Sequence, residues 1–190
     1  MCKIKKVLKP IRIAILTIVT SLLFSFNTSV FAYPIEHAVS LQSTAQEQTQ
    51  WCWAACAVGC IKYVRGTAPT QPSFVRTVKG SIINVQASLS EIKSGMAQYI
   101  VSSVYENTYL SFDAIKSELY NYNSPILAAW DWNPSGGHAV TLDGYSSTSE
   151  TNYVDYMDPS NGSFNYVTYT YFRGGNLYDH TWYAALRRIC

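Results

Sequence analysis

Three cysteines follow one another at four-residue steps in the segment QEQTQWCWAACAVGCIKYV, residues 46–64. A thiol acts as a nucleophile only as the thiolate, which the positive end of a helix and a nearby imidazolium both favour. The apolar, alanine-rich run over residues 51–64 predicts a buried helix. Cys52 begins this helix, whereas Cys56 and Cys60 lie one and two turns deeper. Cys52 is therefore the candidate nucleophile, and the other two thiols are expected in the interior.

A catalytic thiol needs an imidazole partner, and the chain offers His37, His138 and His180. His138 lies in GGHAVTLDGY, where two glycines precede an apolar strand and allow its backbone to approach another element closely. His37 belongs to a loose N-terminal segment, and His180 follows Asp179 in a polar turn. His138 is the favoured base, with His180 as its competitor.

An imidazole base is usually oriented by a carboxylate or an amide. Asp158 ends the predicted strand NYVDYMD, which a hairpin could place beside the strand of His138. Asp143 lies five residues beyond His138 on the same strand, about 17 Å away at about 3.4 Å per residue, which is too far for contact. Asp155 lies three residues before Asp158 and would point to the opposite face of the strand. Asp158 is therefore the favoured orienting group.

Acyl transfer also requires hydrogen-bond donors for an oxyanion. The main-chain N–H of Cys52, at the start of the predicted helix, is one such donor. A side-chain amide from the preceding loop would supply a second, which gives a chemical reason for a glutamine a few residues upstream.

Together these motifs resemble those of the papain-like cysteine peptidases, and within them the short bacterial secreted and effector members. The family pattern is Gln, then Cys-Trp-Ala at a helix start, Gly-His-Ala-Val on a strand, and an Asn or Asp. Here QEQTQWCWAAC, GGHAVTLDGY and YMDPSNG occur in that order and reach across residues 46–162.

The resemblance implies hydrolysis of peptide bonds through a thioester. It would make Cys52 the nucleophile, His138 the general base and acid, and Asp158 the group that orients the imidazole. The family places its oxyanion glutamine six residues before the cysteine, which selects Gln46. Gln48 stays open as an alternative because loop lengths vary.

Three further residues are expected to contact a peptide or protein substrate. Trp53 and Gly137 adjoin the candidate nucleophile and base, and Trp132 precedes the turn that leads to His138. An aromatic side chain offers apolar contact area to a bound peptide. For Trp132, packing within its own strand is the alternative.

The cysteine spacing argues against a metal or disulfide cluster. Residues four apart on a helix have side-chain directions that do not suit a disulfide, so at most one helical cysteine reaches Cys190, which is either bridged to Cys60 or free. Structural zinc prefers close C-x2-4-C pairs on turns with further ligands downstream. No metal ion or other cofactor is expected.

Residues 1–32 have the three parts of a secretory signal: a basic start, the apolar run IAILTIVTSLLFSF and a small-x-Ala cleavage site at residues 30–32. An uncleaved membrane anchor is the lesser alternative. Removing the signal leaves nine basic and 12 acidic residues, a net charge of −3. We therefore expect a secreted, extracellular monomer without stable membrane association, and nucleic acid is a poor choice of partner.

Residues 33–190 are predicted to form a single papain-like peptidase domain. Ser88 with Glu91, and Ser111 further on, are typical of helix N-termini. The Tyr-, Val- and Thr-rich remainder is typical of strands. The predicted strands cover residues 125–132, 137–145, 152–158, 163–172 and 181–189. Asn161-Gly162 is a turn signal between the third and the fourth, and the last is expected to be an edge strand whose Arg187 and Arg188 are solvated. Helices followed by an antiparallel sheet define an α+β fold. A cell-wall amidase and a non-catalytic or toxin module on the same fold are the alternative functions.

Overall fold

The computed structural model describes residues 33–132 and 136–190. The predicted signal peptide, residues 1–32, lies outside these residues. The described residues belong to one compact unit in which helices pack on an antiparallel sheet, and this architecture confirms the α+β prediction. Within the same residues, no helix combines the length and the apolar character that spanning a membrane would need.

Five α-helices occur in the described residues. They are α1 Cys52–Arg65, α2 Gln71–Lys79, α3 Leu89–Gln98, α4 Phe112–Lys116 and α5 Tyr169–Arg173. α1 ends at Gly66, which adopts the left-handed conformation (φ 74°) that glycine allows without strain. Ser88 and Glu91 form a reciprocal capping box at the start of α3. Ser111 caps α4, which continues as a π-helical turn over Ser117–Asn121.

Seven strands form one antiparallel sheet in the described residues. They are β1 Glu36–Ala38, β2 Val104–Glu106, β3 Ile126–Trp132, β4 Gly137–Ser147, β5 Asn152–Asp158, β6 Ser163–Thr168 and β7 His180–Arg187. Their order is β2-β7-β3-β4-β5-β6, with β1 paired to β4. Asn161 and Gly162 (φ 75°) form the turn between β5 and β6, as the sequence predicts.

Two details of the predicted sheet are wrong. The strand predicted over residues 163–172 ends at Thr168, because the Thr168 hydroxyl accepts from the N–H of Tyr171 and starts α5. The C-terminal strand is not a solvated edge, since β7 lies between β2 and β3. Arg187 at its end and Arg188 just after it donate to Glu118, whose side chain is 3% exposed. Both arginines are therefore paired with a buried carboxylate, although they remain partly exposed.

The sheet is covered on both faces, so its strands alternate between two apolar cores. Leu127 and Ala129 of β3 face the core formed with α1, α2 and α3. The neighbouring residues Ile126, Ala128 and Trp130 face a second core formed with α4 and α5. α1 packs directly on β4, and this contact brings the start of the cysteine helix to the start of the histidine strand.

Candidate active site

Cys52 occupies the first position of α1. The first turn reads Cys-Trp-Ala-Ala and is uncharged, so its own side chains leave the positive end of the helix dipole uncompensated. Cys52 is 8% exposed, and its exposed side lines a surface cleft. The helix therefore presents this thiol at the edge of the core.

The other three cysteines of the described residues are free thiols with different surroundings. Cys56 and Cys60 are fully buried, and the thiol of Cys56 donates to the carbonyl oxygen of Ala139. Burial raises the pKa of Cys56 well above its ordinary value and that of Cys60 to about 12, so both stay protonated at neutral pH. Cys190 is exposed, and its sulfur lies 3.1 Å from the Ser102 hydroxyl. Of the two predicted alternatives, a bridge to Cys60 or a free thiol, the structure has the free thiol.

His138 and Asp158 meet where β4 begins and β5 ends. The imidazole Nε2 of His138 lies 2.9 Å from Oδ1 of Asp158. Their side chains are 13% and 23% exposed, which shields the contact from most of the solvent. The same carboxylate oxygen accepts from the main-chain N–H of Ser160. Because Nε2 is occupied by the carboxylate, Nδ1 is the ring nitrogen available to another group.

The pKa values of this pair move in opposite directions. Burial by itself lowers the pKa of His138, but the hydrogen bond to Asp158 and the interaction with the Cys52 thiol outweigh burial and raise it from 6.5 to about 9. Burial acts to raise the pKa of Asp158, yet the hydrogen bonds from His138 and Ser160 bring it below its ordinary value. At neutral pH the histidine is therefore cationic and the aspartate anionic.

The competing histidines lie away from the thiol. His37 is in β1 and packs edge-on against Tyr120. His180 is 1% exposed, and both of its ring nitrogens are engaged: Nδ1 lies 2.8 Å from Oδ1 of Asp179, and Nε2 lies 3.0 Å from the carbonyl oxygen of Tyr171. His180 is therefore a buried structural side chain.

The competing aspartates lie on other parts of the sheet. Asp143 sits at an irregularity in the β4–β5 pairing, and burial raises its pKa to about 7. Asp155 pairs with Gly144 and Tyr166, and it lines a separate surface groove beside Glu36. Strand geometry thus separates Asp155 from Asp158, as the alternation of side chains along a strand requires.

Gln46 enters the cleft from the loop before α1. It lines the same depression as Cys52, His138 and Asp158. Its main-chain N–H donates to the carbonyl oxygen of Pro159, and its Nε2 donates to the carbonyl oxygen of Gln48. The first bond ties the glutamine loop to the turn that follows Asp158.

The cleft consists of two depressions that share four residues: Cys52, Gln86, Gly137 and His138. The first is a narrow pocket of about 70 Å³ that Trp53 also lines. The second is an open groove of about 470 Å³ that Trp132 also lines. All seven residues singled out in the sequence therefore border this cleft.

Several lining residues carry no local sequence signal. Thr49, Gln50 and Gln86 line the open groove, whereas Leu89, Ile92, Ala129 and Tyr183 line the narrow pocket. Thr49 and Gln50 directly precede α1 and are close to Cys52 along the chain. The others come from the α2–α3 loop, from α3 and from strands that are distant in the sequence, so only the tertiary packing brings them to the thiol. No group of three or more His, Cys, Asp or Glu suited to a metal ion occurs in residues 33–132 and 136–190.

A cysteine at a helix start, facing an imidazole and a carboxylate on antiparallel strands, is the arrangement of papain-like cysteine peptidases, and solved structures of that class share this fold. Over 84% of its length the chain is similar to procathepsin L2 proteinase from the Tenebrio molitor larval midgut (TM-score 0.58, 12% identity, 70% of that chain). Over 80% it is similar to a double glycine motif protease from an AMS/PCAT transporter (TM-score 0.55, 14% identity, 94% of that chain). A structure comparing the mite allergens Blo t 1 and Der p 1 is similar over 85% (TM-score 0.53, 12% identity, 73% of that chain).

The family follows from the sequence itself. Residues 35–176 match the model of the family described as papain-like cysteine protease AvrRpt2. The chain belongs to this family and is a cysteine peptidase that acts on peptide substrates. A search of curated proteins found no significant match.

Proposed function

We propose that the protein is a secreted endopeptidase with a catalytic triad of Cys52, His138 and Asp158. The observation that carries this proposal is the position of His138, which is bonded to Asp158 through Nε2 and interacts with the Cys52 thiol. The aspartate keeps the ring oriented and cationic, and the imidazolium beside the thiol stabilises the thiolate. The imidazolium is then in place beside the Cys52 thiol before substrate binds.

In the acylation step the Cys52 thiolate attacks the carbonyl carbon of the scissile peptide bond. A C–S bond forms, and the carbonyl oxygen becomes an oxyanion. The main-chain N–H of Cys52 and the side-chain amide of Gln46 donate to this oxygen. His138 then gives its proton to the departing amine, the C–N bond breaks, and a thioester on Cys52 is left.

In the deacylation step a water molecule attacks the thioester carbon. The neutral His138 accepts one proton of this water, and the oxyanion forms again in the same site. The C–S bond breaks, the carboxylic product leaves, and the thiolate with its imidazolium partner is restored. Asp158 keeps its negative charge throughout and stabilises the imidazolium in both steps.

The substrate lies across the cleft in this proposal. Gly137 borders both depressions beside His138, Trp53 lines the narrow pocket, and Trp132 lines the open groove. The pocket also carries the apolar side chains of Leu89 and Ile92. This lining supports binding of one apolar substrate side chain next to the scissile bond.

The test compares two thiols of the same helix. Cys52→Ala is expected to abolish both casein hydrolysis and rapid labelling by iodoacetamide, while Cys56→Ala, which removes a buried thiol, keeps both. Circular dichroism checks that each variant is folded. Rapid labelling of Cys52→Ala at a cysteine other than the exposed Cys190 would contradict the proposal. Zymography with casein against peptidoglycan separates a peptidase from a cell-wall amidase.

Export is the second part of the proposal, and it rests on the signal pattern of residues 1–32. Expression of the full chain in a bacterium is expected to release a protein whose first residue is Tyr33, measured by mass spectrometry of the culture medium. Light scattering of this product is expected to give the mass of a monomer, and the product should not sediment with membranes. Recovery of uncut chain in the membrane fraction would favour an anchor instead.

A further inference from the structure

The loop between α2 and α3 forms one wall of the cleft. Residues 81–86 are exposed and belong to neither a helix nor a strand, and Ile82, Ile83 and Val85 are exposed apolar residues. Gln86 borders both depressions, together with His138. An exposed loop of this kind is ordinarily mobile. It can form a wall of the cleft with a defined position only if hydrogen bonds anchor it to the core.

Two tryptophans supply those anchors. The indole N–H of Trp51 donates to the carbonyl oxygen of Ile83 at 2.9 Å, and that of Trp53 donates to the carbonyl oxygen of Val85 at 2.9 Å. Both tryptophans are buried, with exposures of 3% and 2%, so their indoles are held by the core. The two tryptophans that flank Cys52 in the sequence therefore bond to the loop at two carbonyl groups, those of Ile83 and Val85.

Asn84, between the two gripped carbonyls, adds a second pair of bonds. Its Oδ1 accepts from the main-chain N–H of Gln50 at 2.9 Å, and its Nδ2 donates to the hydroxyl oxygen of Thr49 at 2.8 Å. Residues 83–85 are thus tied by four hydrogen bonds to residues 49–53. The next residue along the chain is Gln86.

We propose that Trp51 and Trp53 are positioning residues that hold residues 83–85 in place, so that Gln86 forms a fixed substrate-binding wall of the cleft that Gly137 and His138 also line. This inference rests on the proposed peptidase function of the same cleft. The tryptophans do not touch the reacting atoms in this role. They keep the binding-competent arrangement of the wall populated, and loss of that population weakens the apparent affinity for an extended substrate.

The test removes one donor at a time with Trp51→Phe and Trp53→Phe, which keep an aromatic ring but lack the indole N–H. We expect KM for a peptide substrate to rise about 3- to 10-fold, the effect of losing one ordinary hydrogen bond. In Trp51→Phe, whose side chain lines neither depression, both kcat and the alkylation rate of Cys52 by iodoacetamide, which is too small to need the wall, should change less than about twofold. Trp53 also lines the narrow pocket, so Trp53→Phe is judged by loop exchange. Amide hydrogen exchange over residues 82–87 should accelerate.

Two further variants keep the inference falsifiable. Trp182→Phe removes an indole N–H that donates to Ala184 and should leave KM and the loop exchange unchanged. Asn84→Ala changes an exposed side chain, so it should fold and still raise KM and loop exchange. Unchanged KM and unchanged exchange in folded Trp51, Trp53 and Asn84 variants would overturn the inference. Loop exchange does not depend on hydrolysis. A wild-type protein that cleaves no peptide would therefore refute the proposed function, while unchanged exchange in the variants would still overturn the anchoring by Trp51 and Trp53.

Discussion

The replacement Asp158→Asn removes the carboxylate charge beside His138 but keeps a side-chain oxygen that can accept its N–H. The rise in the His138 pKa from 6.5 to about 9 corresponds to about 3 kcal/mol in favour of the imidazolium. This sum contains opposing effects of burial, Asp158 and Cys52. Asparagine keeps the acceptor and loses the charge. We therefore expect about half of the free energy that favours the imidazolium, roughly 1.5 kcal/mol, to be lost, and the pKa of His138 to fall by about one.

The assay is the pH profile of kcat/KM on a peptide substrate. His138 loses its proton as pH rises through its pKa, so the imidazolium is lost and activity should fall as pH rises through about 9 in the wild type. In Asp158→Asn the same fall should occur near pH 8. At neutral pH the variant should keep activity, lowered about 10-fold, whereas Asp158→Ala, which also removes the acceptor, should lose more.

Asp155→Asn is the matched control, since it makes the same change on the same strand outside the cleft. In this variant the fall of kcat/KM at high pH, the alkaline limb of the profile, should coincide with that of the wild type. The reasoning is refuted if Asp158→Asn, correctly folded, shows an unchanged alkaline limb, or if Asp155→Asn shifts the limb as far as Asp158→Asn does. Either result would mean that the Asp158 charge does not set the ionisation of His138.

Three further predictions concern the oxyanion and two buried carboxyl groups. Gln46→Ala should lower kcat about 100-fold through loss of an oxyanion donor, while Gln48→Ala, assayed in parallel, should leave it within about twofold. Burial raises the pKa of Asp143 to about 7, so this residue contributes a stability that is complete below about pH 4 and is lost as pH rises to about 7. Asp143→Asn should therefore stabilise the protein at pH 8 by at most about 4 kcal/mol in urea unfolding, with little effect at pH 4. Glu118→Ala leaves two arginines without their buried partner and should lower the free energy of unfolding by about 3 kcal/mol, measured by the same method.

Much of the fold could be predicted because its signals are local. The helix that begins at Cys52, its glycine terminator at Gly66 and the capping box at Ser88 all depend on neighbours within a few residues. The alternation of strand residues likewise predicts that Asp155 and Asp158 point to opposite faces. These features follow from backbone geometry, which a short window of sequence contains.

The order of the sheet was not predictable in the same way. β1 and β2 have three residues each and no marked alternation, and both exist because longer strands offer them an edge. The placement of β7 in the interior depends on β2, and the pairing of its arginines depends on Glu118 from the π-helical turn. Such contacts join residues 60 or more positions apart and leave no pattern in either segment.

The sequence by itself determined the candidate reactive groups of this protein: a thiol at a helix start, a histidine at a strand start, and a carboxylate and a glutamine at suitable separations. Tertiary structure alone decided how these groups are enclosed. It brought Gln86 and His138 to the same cleft and turned the indoles of Trp51 and Trp53 toward the loop at residues 83–85. The physical reason is that reactivity belongs to residue types and local backbone, whereas a cleft is made by long-range packing.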